Sequence, residues 1–298
     1  MLNIIGNRFK FITISIILVV VSFVLIISFG FKLGIDFTGG SLWQIKFENQ
    51  NISDVDIKNF LNNNQKLESY VYKELSSDSV IIKLAVVSEE SHQQYLGLLK
   101  NKFGDLTELK FESIGPSVGD QMKSRSIWAI IFVLIGISSF IAISFRKISY
   151  PVKSWKYGIS TLIALFHDVT VPLGVIVAMG HWGNVEMDAN FIVALLVIMG
   201  FSVHDTIVVF DRIRENLLSR KISNFDQVVN ESVNQTMARS INTSLTLVLV
   251  LLALVFFGPT TLKDFNVILL IGVVAGTYSS IFIASPILTI WHKSSNVK

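Results

Sequence analysis

Six stretches of this chain are nearly free of charge: Phe11 to Phe31, Ile127 to Phe145, Tyr157 to Gly180, Asn190 to Asp211, Ile241 to Gly258 and Phe265 to Trp291. Each approaches or exceeds the ~18 to 20 apolar residues that an α-helix needs to cross the hydrocarbon core of a bilayer. The pattern predicts an α-helical polytopic membrane protein with six transmembrane helices. Composition points the same way: 51% of the 298 residues are hydrophobic and 16% charged, against about 25% charged in a typical soluble domain. That balance excludes a disordered chain and argues against an ordinary cytosolic enzyme. Arg8 and Lys10 before the first stretch would also suit a secretory signal, but a signal's apolar core is only about 7 to 15 residues and ends in an A-x-A-like site. This run is longer and ends Ser28-Phe29-Gly30-Phe31, so a retained anchor is expected. The chain has no cysteine, which removes disulfides, thiol catalysis and Cys-ligated metals together.

Only the gap from Asp36 to Ser124 is long enough for a folded domain, and it carries 9 Lys against 13 Asp and Glu. Most other cations alternate in side along the spans. Arg8 and Lys10, then Arg146, Lys147, Lys153 and Lys156, then Arg212, Arg214, Arg220, Lys221 and Arg239, and finally Lys293 and Lys298 share one side. The positive-inside rule makes that side cytoplasmic and places both termini there, with the acidic region outside. The net charge of +3 is therefore a topology signal and gives no reason to expect nucleic acid as a partner. The expected division is 1–33 for the N-terminus and first helix, 34–124 for the extracytoplasmic domain with its junctions, and 125–298 for helices two to six and the C-terminus.

Within the outer region the period alternates between strand and helix. Trp43, Ile45 and Phe47 alternate with polar neighbours, and Val55, Ile57, Phe60 and Leu61 have helical spacing up to Asn62-Asn63-Asn64. Tyr70 to Leu75 and Val80 to Val86 read as a hairpin across Ser76-Ser77-Asp78-Ser79. Ser88 with Glu89 and Glu90 opens a helix carrying Tyr95, Leu98, Leu99 and Phe103, and Leu109 with Phe111 marks a last strand. The order β-α-β-β-α-β predicts an α+β ferredoxin-like domain between helices one and two.

An ionisable group at the bilayer centre costs at least ~2.5 to 3.5 kcal/mol, so each needs a reason. Two pairs qualify, His167-Asp168 and His204-Asp205. Adjacent helical residues point about 100° apart, so one member of each pair should face the bundle and the other a different neighbour. Imidazole and carboxylate suit a metal, but the i, i+3 or i, i+4 repeat that puts two ligands on one face is missing. Two aspartates suit an aspartic protease dyad, but Phe201-Ser202-Val203-His204-Asp205 lacks the Gly-x-Gly-Asp signature of such proteases. A desolvated carboxylate that can meet an arginine is a proton carrier; alternatively, Asp205 and His204 only hydrogen-bond neighbouring helices. Arg239 at the head of span five is the candidate counter-charge for Asp205, its stem able to snorkel, with Asn242, Thr243 and Ser244 one turn on.

At these residues the sequence becomes specific. GFSVHDTIVVFDRIREN, Gly200 to Asn216, resembles the fourth-span motif of the SecF family, a subunit of the bacterial SecDF auxiliary complex of the Sec machinery. The likeness continues in GIDFTGGS at 34–41, IGPSVG at 114–119, the triplet His167-Asp168-Val169 and NQTMARSINTS at 234–244. The resemblance implies membership of the RND superfamily and use of the proton-motive force to assist late preprotein translocation across the bacterial cytoplasmic (inner) membrane. It implies SecD, the SecYEG translocon, YajC, YidC, translocating preproteins and membrane lipids as partners, with no cofactor and no metal. By the family's pattern Asp205 carries the proton, and Arg239 and Thr243 serve its relay. His204 stands where the family carries an uncharged amide such as Asn, and an imidazole there can join the relay. Gly258-Pro259 replaces a common pair of glycines.

The flanking motifs also have a physical reading. Gly34, Gly39 and Gly40 allow turns with positive φ, and Asp36 can cap one, where the chain leaves the membrane; Gly115, Pro116 and Gly119 do the same where it returns. They are junction punctuation or stiff joints that couple domain to spans. Gly272 and Gly276 form a GxxxG, a motif for close helix contact that is common by chance. No Gly-x-x-x-x-Gly-Lys phosphate loop occurs, so ATP hydrolysis would belong to a partner. The competing transporter reading is an RND exporter of lipids or small molecules, for which one short outer domain is too little; the competing enzyme is an intramembrane protease using Asp168 with Asp205.

Overall fold

A computed structural model of the chain describes residues 1–48, 52–65, 69–73, 79–145, 152–183, 185–219 and 224–295. It divides into two compact units, one of residues 33–127 and one of residues 1–32 with 128–298. Arg146, Lys147, Arg220, Lys221 and Lys298, and most of the expected turn at Ser76-Ser77-Asp78-Ser79, lie outside the described residues.

Among the described residues, six helices are long and apolar enough to cross a membrane. They are α1 (Arg8–Phe29), α5 (Pro116–Ser144), α6 (Ser154–Gly183), α7 (Ala189–Ser219), α8 (Phe225–Phe257) and a sixth built from α9 (Lys263–Ser279), a π-helical turn at Ser280–Ala284 and α10 (Ser285–Ser295). Spans three, four and six are at least half buried, whereas α1, α5 and α8 turn most of their surface outward. Several helices outrun their apolar stretches. The N-terminal half of α8 is amphipathic, burying Phe225, Val228, Val229, Ser232, Val233 and Thr236, and hydropathy alone does not register a helix of that kind. Span six is not one uniform helix as the apolar run suggested. Pro286 has no amide to return to the carbonyl four residues back, and the ladder widens just ahead of it into the π-helical turn.

The other unit is the expected β-α-β-β-α-β. Strands β1 (Gly40–Phe47), β2 (Tyr70–Lys73), β3 (Ser79–Leu84) and β4 (Leu106–Ile114) form one antiparallel sheet in the order β2-β3-β1-β4, with α3 (Asp54–Gln65) and α4 (Glu89–Phe103) as the connecting helices. Trp43, Ile45 and Phe47 alternate inward against Ile57, Leu61, Ile82, Leu84 and Leu99, which is the period-2 and period-3.6 patterning converging on one core. Ser88 caps α4 as its position implied, accepting from the Ser91 amide at 3.3 Å. β1 slips register against β4 between Gln44 and Ile45.

Candidate functional site

Three helices bring their polar side chains together in the middle of the helical unit. From α6, Asp168 is fully buried. Its Oδ1 lies within hydrogen-bond distance of His167 Nδ1 at 2.8 Å, and its Oδ2 receives Ser202 Oγ of α7 at 2.5 Å and Ser279 Oγ of α9 at 2.6 Å. From α7, Asp205 is buried and accepts a hydrogen bond from Ser280, the next residue along span six. Ser279 and Ser280 are adjacent and so point about 100° apart, which lets one helix reach carboxylates on two others. The backbone is irregular at this depth. Pro172 inside α6 removes the amide that would return to the Asp168 carbonyl, and the π-helical turn begins at Ser280. Ser244 of α8 meets Thr277 of α9 at 2.6 Å between hydroxyls, one turn away.

The two His-Asp pairs differ. His204 is exposed while Asp205 is buried, as the 100° step requires. His167 and Asp168 are both buried, because the imidazole folds back onto its own neighbour rather than facing away from it. Arg239 and Asp205, expected as partners, do not meet: Arg239 is exposed and no hydrogen bond or ion pair joins them. The reason is rotational. α8 buries the ladder Ser232, Thr236, Ser240 and Ser244, and Arg239 lies one step off that stripe. Thr243 is exposed too, its hydroxyl donating to the Arg239 carbonyl at 2.9 Å. The two carboxylates take donors from different serines, with no hydrogen bond between them, so the shared-proton geometry of a protease dyad is not formed. Among the described residues no group of three His, Asp or Glu side chains is placed to share a metal ion.

Sequence reasoning missed Ser202, Ser279 and Ser280 as ligands of the acids. Their one signal was position: hydroxyls at mid-span, within three residues of an acid in the case of Ser202, but small polar residues also pack helices everywhere in membranes.

The junction residues converge within the sheet-bearing unit. Gly39 and Gly40 have φ of +73° and +122°, and a Cβ on Gly39 would lie 2.8 Å from Pro116 Cα. Gly119 lies against this turn, where a Cβ would be 3.0 Å from the Gly39 nitrogen and 3.2 Å from the Phe37 carbonyl carbon. Gly34 has φ −72°, so no positive φ is needed there. Asp36 sits inside the first turn of the short helix α2 (Ile35–Thr38) instead of ahead of it. Pro116 opens α5, a position that needs no amide hydrogen, and Gly115 and Gly119 take no left-handed conformation. What Gly119 supplies is closeness.

Residues 94–294 match the family profile described as protein export membrane protein SecD/SecF, C-terminal, and residues 24–50 match the SecD/SecF GG motif. A protein translocase subunit SecF of Thermobaculum terrenum is 44% identical, covering 98% of this chain and 94% of the relative, and one of Anaerolinea thermophila is 35% identical over the same shares. Among solved structures, SecDF from Thermus thermophilus, a translocon-associated membrane protein, superposes with a TM-score of 0.84 at 29% identity. A structure of SecDF in the super-membrane-facing form gives 0.70 at 30%. The matches cover 98% and 99% of this chain, which spans 39% of the length of either SecDF chain.

Proposed function

The chain belongs to the SecD/SecF family as a SecF, and from that premise we propose that it is a protein translocase subunit assisting Sec-dependent export, driven by protons carried on Asp205. The observation that carries this reading is a buried mid-span carboxylate held by one serine hydroxyl, with the nearest candidate arginine turned outward. Protonated, Asp205 fits its setting with Ser280. Ionised, it needs Arg239 or water, so its two states favour different helix arrangements. A proton crossing 100 mV releases ~2.3 kcal/mol, enough to bias a two-state element roughly fifty-fold. The outer domain, joined through the glycine-bearing segments at 34–40 and 115–119, would follow those arrangements and hold or release an emerging preprotein.

A SecD-like second subunit completes the site. Arg239, Asn242, Thr243 and Thr246 are exposed on one face of α8, within an arc of about 100°. An arginine there is costly against lipid and inexpensive against a polar partner helix, as is exposed His204 on α7. The charge pattern supports a cytoplasmic-membrane topology with both termini inside. The test is Asp205→Asn in the assembled complex. Expression and pairing with the second subunit should persist while the proton-dependent part of preprotein export disappears; export at the wild-type rate under a full proton gradient would end the carrier reading.

A further inference from the structure

Asp168 is the more deeply buried of the two mid-span acids, and a carrier mechanism built on Asp205 leaves it unused. When Asp168 is ionised its oxygens only accept, and the 2.8 Å contact with His167 Nδ1 then has its proton on Nδ1. The other ring nitrogen, Nε2, is buried without a hydrogen-bond partner. A residue serving only to staple α6 to its own neighbour would not need that nitrogen, since an amide makes the same bond. With Nδ1 protonated, Nε2 is a bare lone pair. A proton taken there makes an imidazolium whose counter-charge is already in place at Asp168. When the proton leaves, Ser202 and Ser279 still hold the carboxylate from two helices.

Resting on the carrier reading of Asp205, we propose that His167 and Asp168 form a second proton-binding site, filled at His167 Nε2, and that the Ser279–Ser280 pair couples its occupancy to that of Asp205. The proton comes from water, forms the Nε2–H bond and returns to water; Nδ1 keeps its hydrogen and no other bond changes. The coupling is mechanical. One backbone step of span six carries both hydroxyls, so a shift that lifts Ser280 from Asp205 also moves Ser279 against Asp168. That step is the start of the π-helical turn, where the ladder leaves the α-helical register. The titratable groups facing the imidazole are Asp168 on its own helix and Tyr278 on span six, ring centroids 6.1 Å apart; the Tyr278 hydroxyl donates to the Phe11 carbonyl at 2.9 Å.

The test uses the full chain with its second subunit in membrane vesicles under an imposed proton gradient. His167→Asn keeps an amide where Nδ1 stood and deletes Nε2. It should assemble and melt as the wild type does while losing roughly tenfold or more of proton-driven export. In parallel, the wild-type complex labelled with ¹⁵N-histidine should show one ring, absent from the His167→Asn spectrum, passing between bare and protonated Nε2 as the pH is changed. The midpoint should move in Asp205→Asn and in Ser279→Ala. Wild-type export by His167→Asn, with Asp205→Asn inactive, overturns the second site and leaves the carrier reading standing. Active Asp205→Asn overturns the carrier reading, and the nitrogen signal then decides the histidine site alone. If Nε2 holds a single state throughout, the second site is wrong even should His167→Asn fail to assemble.

Discussion

Gly276 lies directly against Ser202: a Cβ on the glycine would sit 2.9 Å from the serine Cβ, and Ser202 is the residue whose hydroxyl holds Asp168. One turn away, a Cβ on Gly272 would collide with the end of the Ile198 side chain. The GxxxG of span six is thus the contact that sets the distance between α7 and α9, and with it the polar centre. Either glycine changed to alanine should cost about 1 to 3 kcal/mol by overpacking, measured as a lower unfolding midpoint in detergent. The two should differ in rescue. Ile198→Ala clears the space beside Gly272→Ala and should recover part of the loss. Ser202→Ala keeps its Cβ and should recover nothing beside Gly276→Ala.

The first residues of the chain are clamped on α8. Asn234 pairs with Leu2 as one peptide pairs with another, accepting its amide at 2.8 Å and donating to its carbonyl at 2.9 Å. Asn230 accepts from the amides of Ile4 and Ile5 at 2.9 and 3.1 Å, and Arg8 reaches Asp226 at 3.0 Å. Each such bond contributes about 0.5 to 1.5 kcal/mol net. Ile4 is fully buried behind them, and the chain has no cysteine of its own. A single cysteine at Ile4 should therefore resist a soluble thiol reagent. Adding Asn230→Ala and Asn234→Ala should make it react quickly; unchanged protection would show that the asparagines do not hold the segment.

Periodicity made the two architectures legible because each rests on a repeated apolar pattern: long charge-free runs, and the alternation of Trp43, Ile45 and Phe47 against helical Ile57 and Leu61. The acids were legible for the same reason, as expensive exceptions within apolar runs. Their ligands were not. Ser202, Ser279 and Ser280 cost the bilayer little, and which of them meets Asp168 or Asp205 depends on helix rotation and on a π-helical turn that no local propensity announces. Asp205 and Arg239 stand apart in this arrangement because of rotation, since membrane depth follows from residue count while facing depends on what packs beside α8.

The sheet-bearing unit should fold without the spans. Residues 40–114 contain the whole four-stranded sheet, both helices and the core around fully buried Trp43. Expressed alone, they should be soluble with a mixed α and β circular dichroism spectrum; a purely helical one would remove the ferredoxin-like assignment for the isolated piece. Gln93 and His92 hydrogen-bond the exposed Glu89 carboxyl and hold it below its usual value of 4.5. A carboxyl lowered in the folded state adds stability above its unfolded value, and that contribution is lost as pH falls through the lower folded value. Unfolding followed by Trp43 fluorescence should therefore weaken with acid below about pH 4.5, and Glu89→Gln should flatten that slope while leaving the fold at neutral pH intact.

The polar face of α8 makes the most direct claim about what surrounds this chain. Arg239, Asn242, Thr243 and Thr246 are exposed at the level where apolar Ile241, Leu245 and Leu249 are exposed as well. Thr243 and Thr246 satisfy their hydroxyls on the carbonyls of Arg239 and Thr243 at 2.9 and 2.7 Å, so the threonines alone are tolerable against lipid. The arginine is less so: at the head of span five its stem must snorkel to keep the charge in water. A second subunit covering this face removes that cost. In the cysteine-free chain, Thr246→Cys should cross-link to the second subunit, while Ile14→Cys on outward-facing α1 should not. Arg239→Met should preserve pairing, because the neighbouring contacts remain, yet lose proton-dependent export if the arginine meets ionised Asp205 in another helix arrangement. His204→Asn should retain most export, since the imidazole is exposed and not bonded to Asp205. Cross-linking from Ile14→Cys with none from Thr246→Cys would place the partner on the other side of the bundle and leave Arg239 without its explanation.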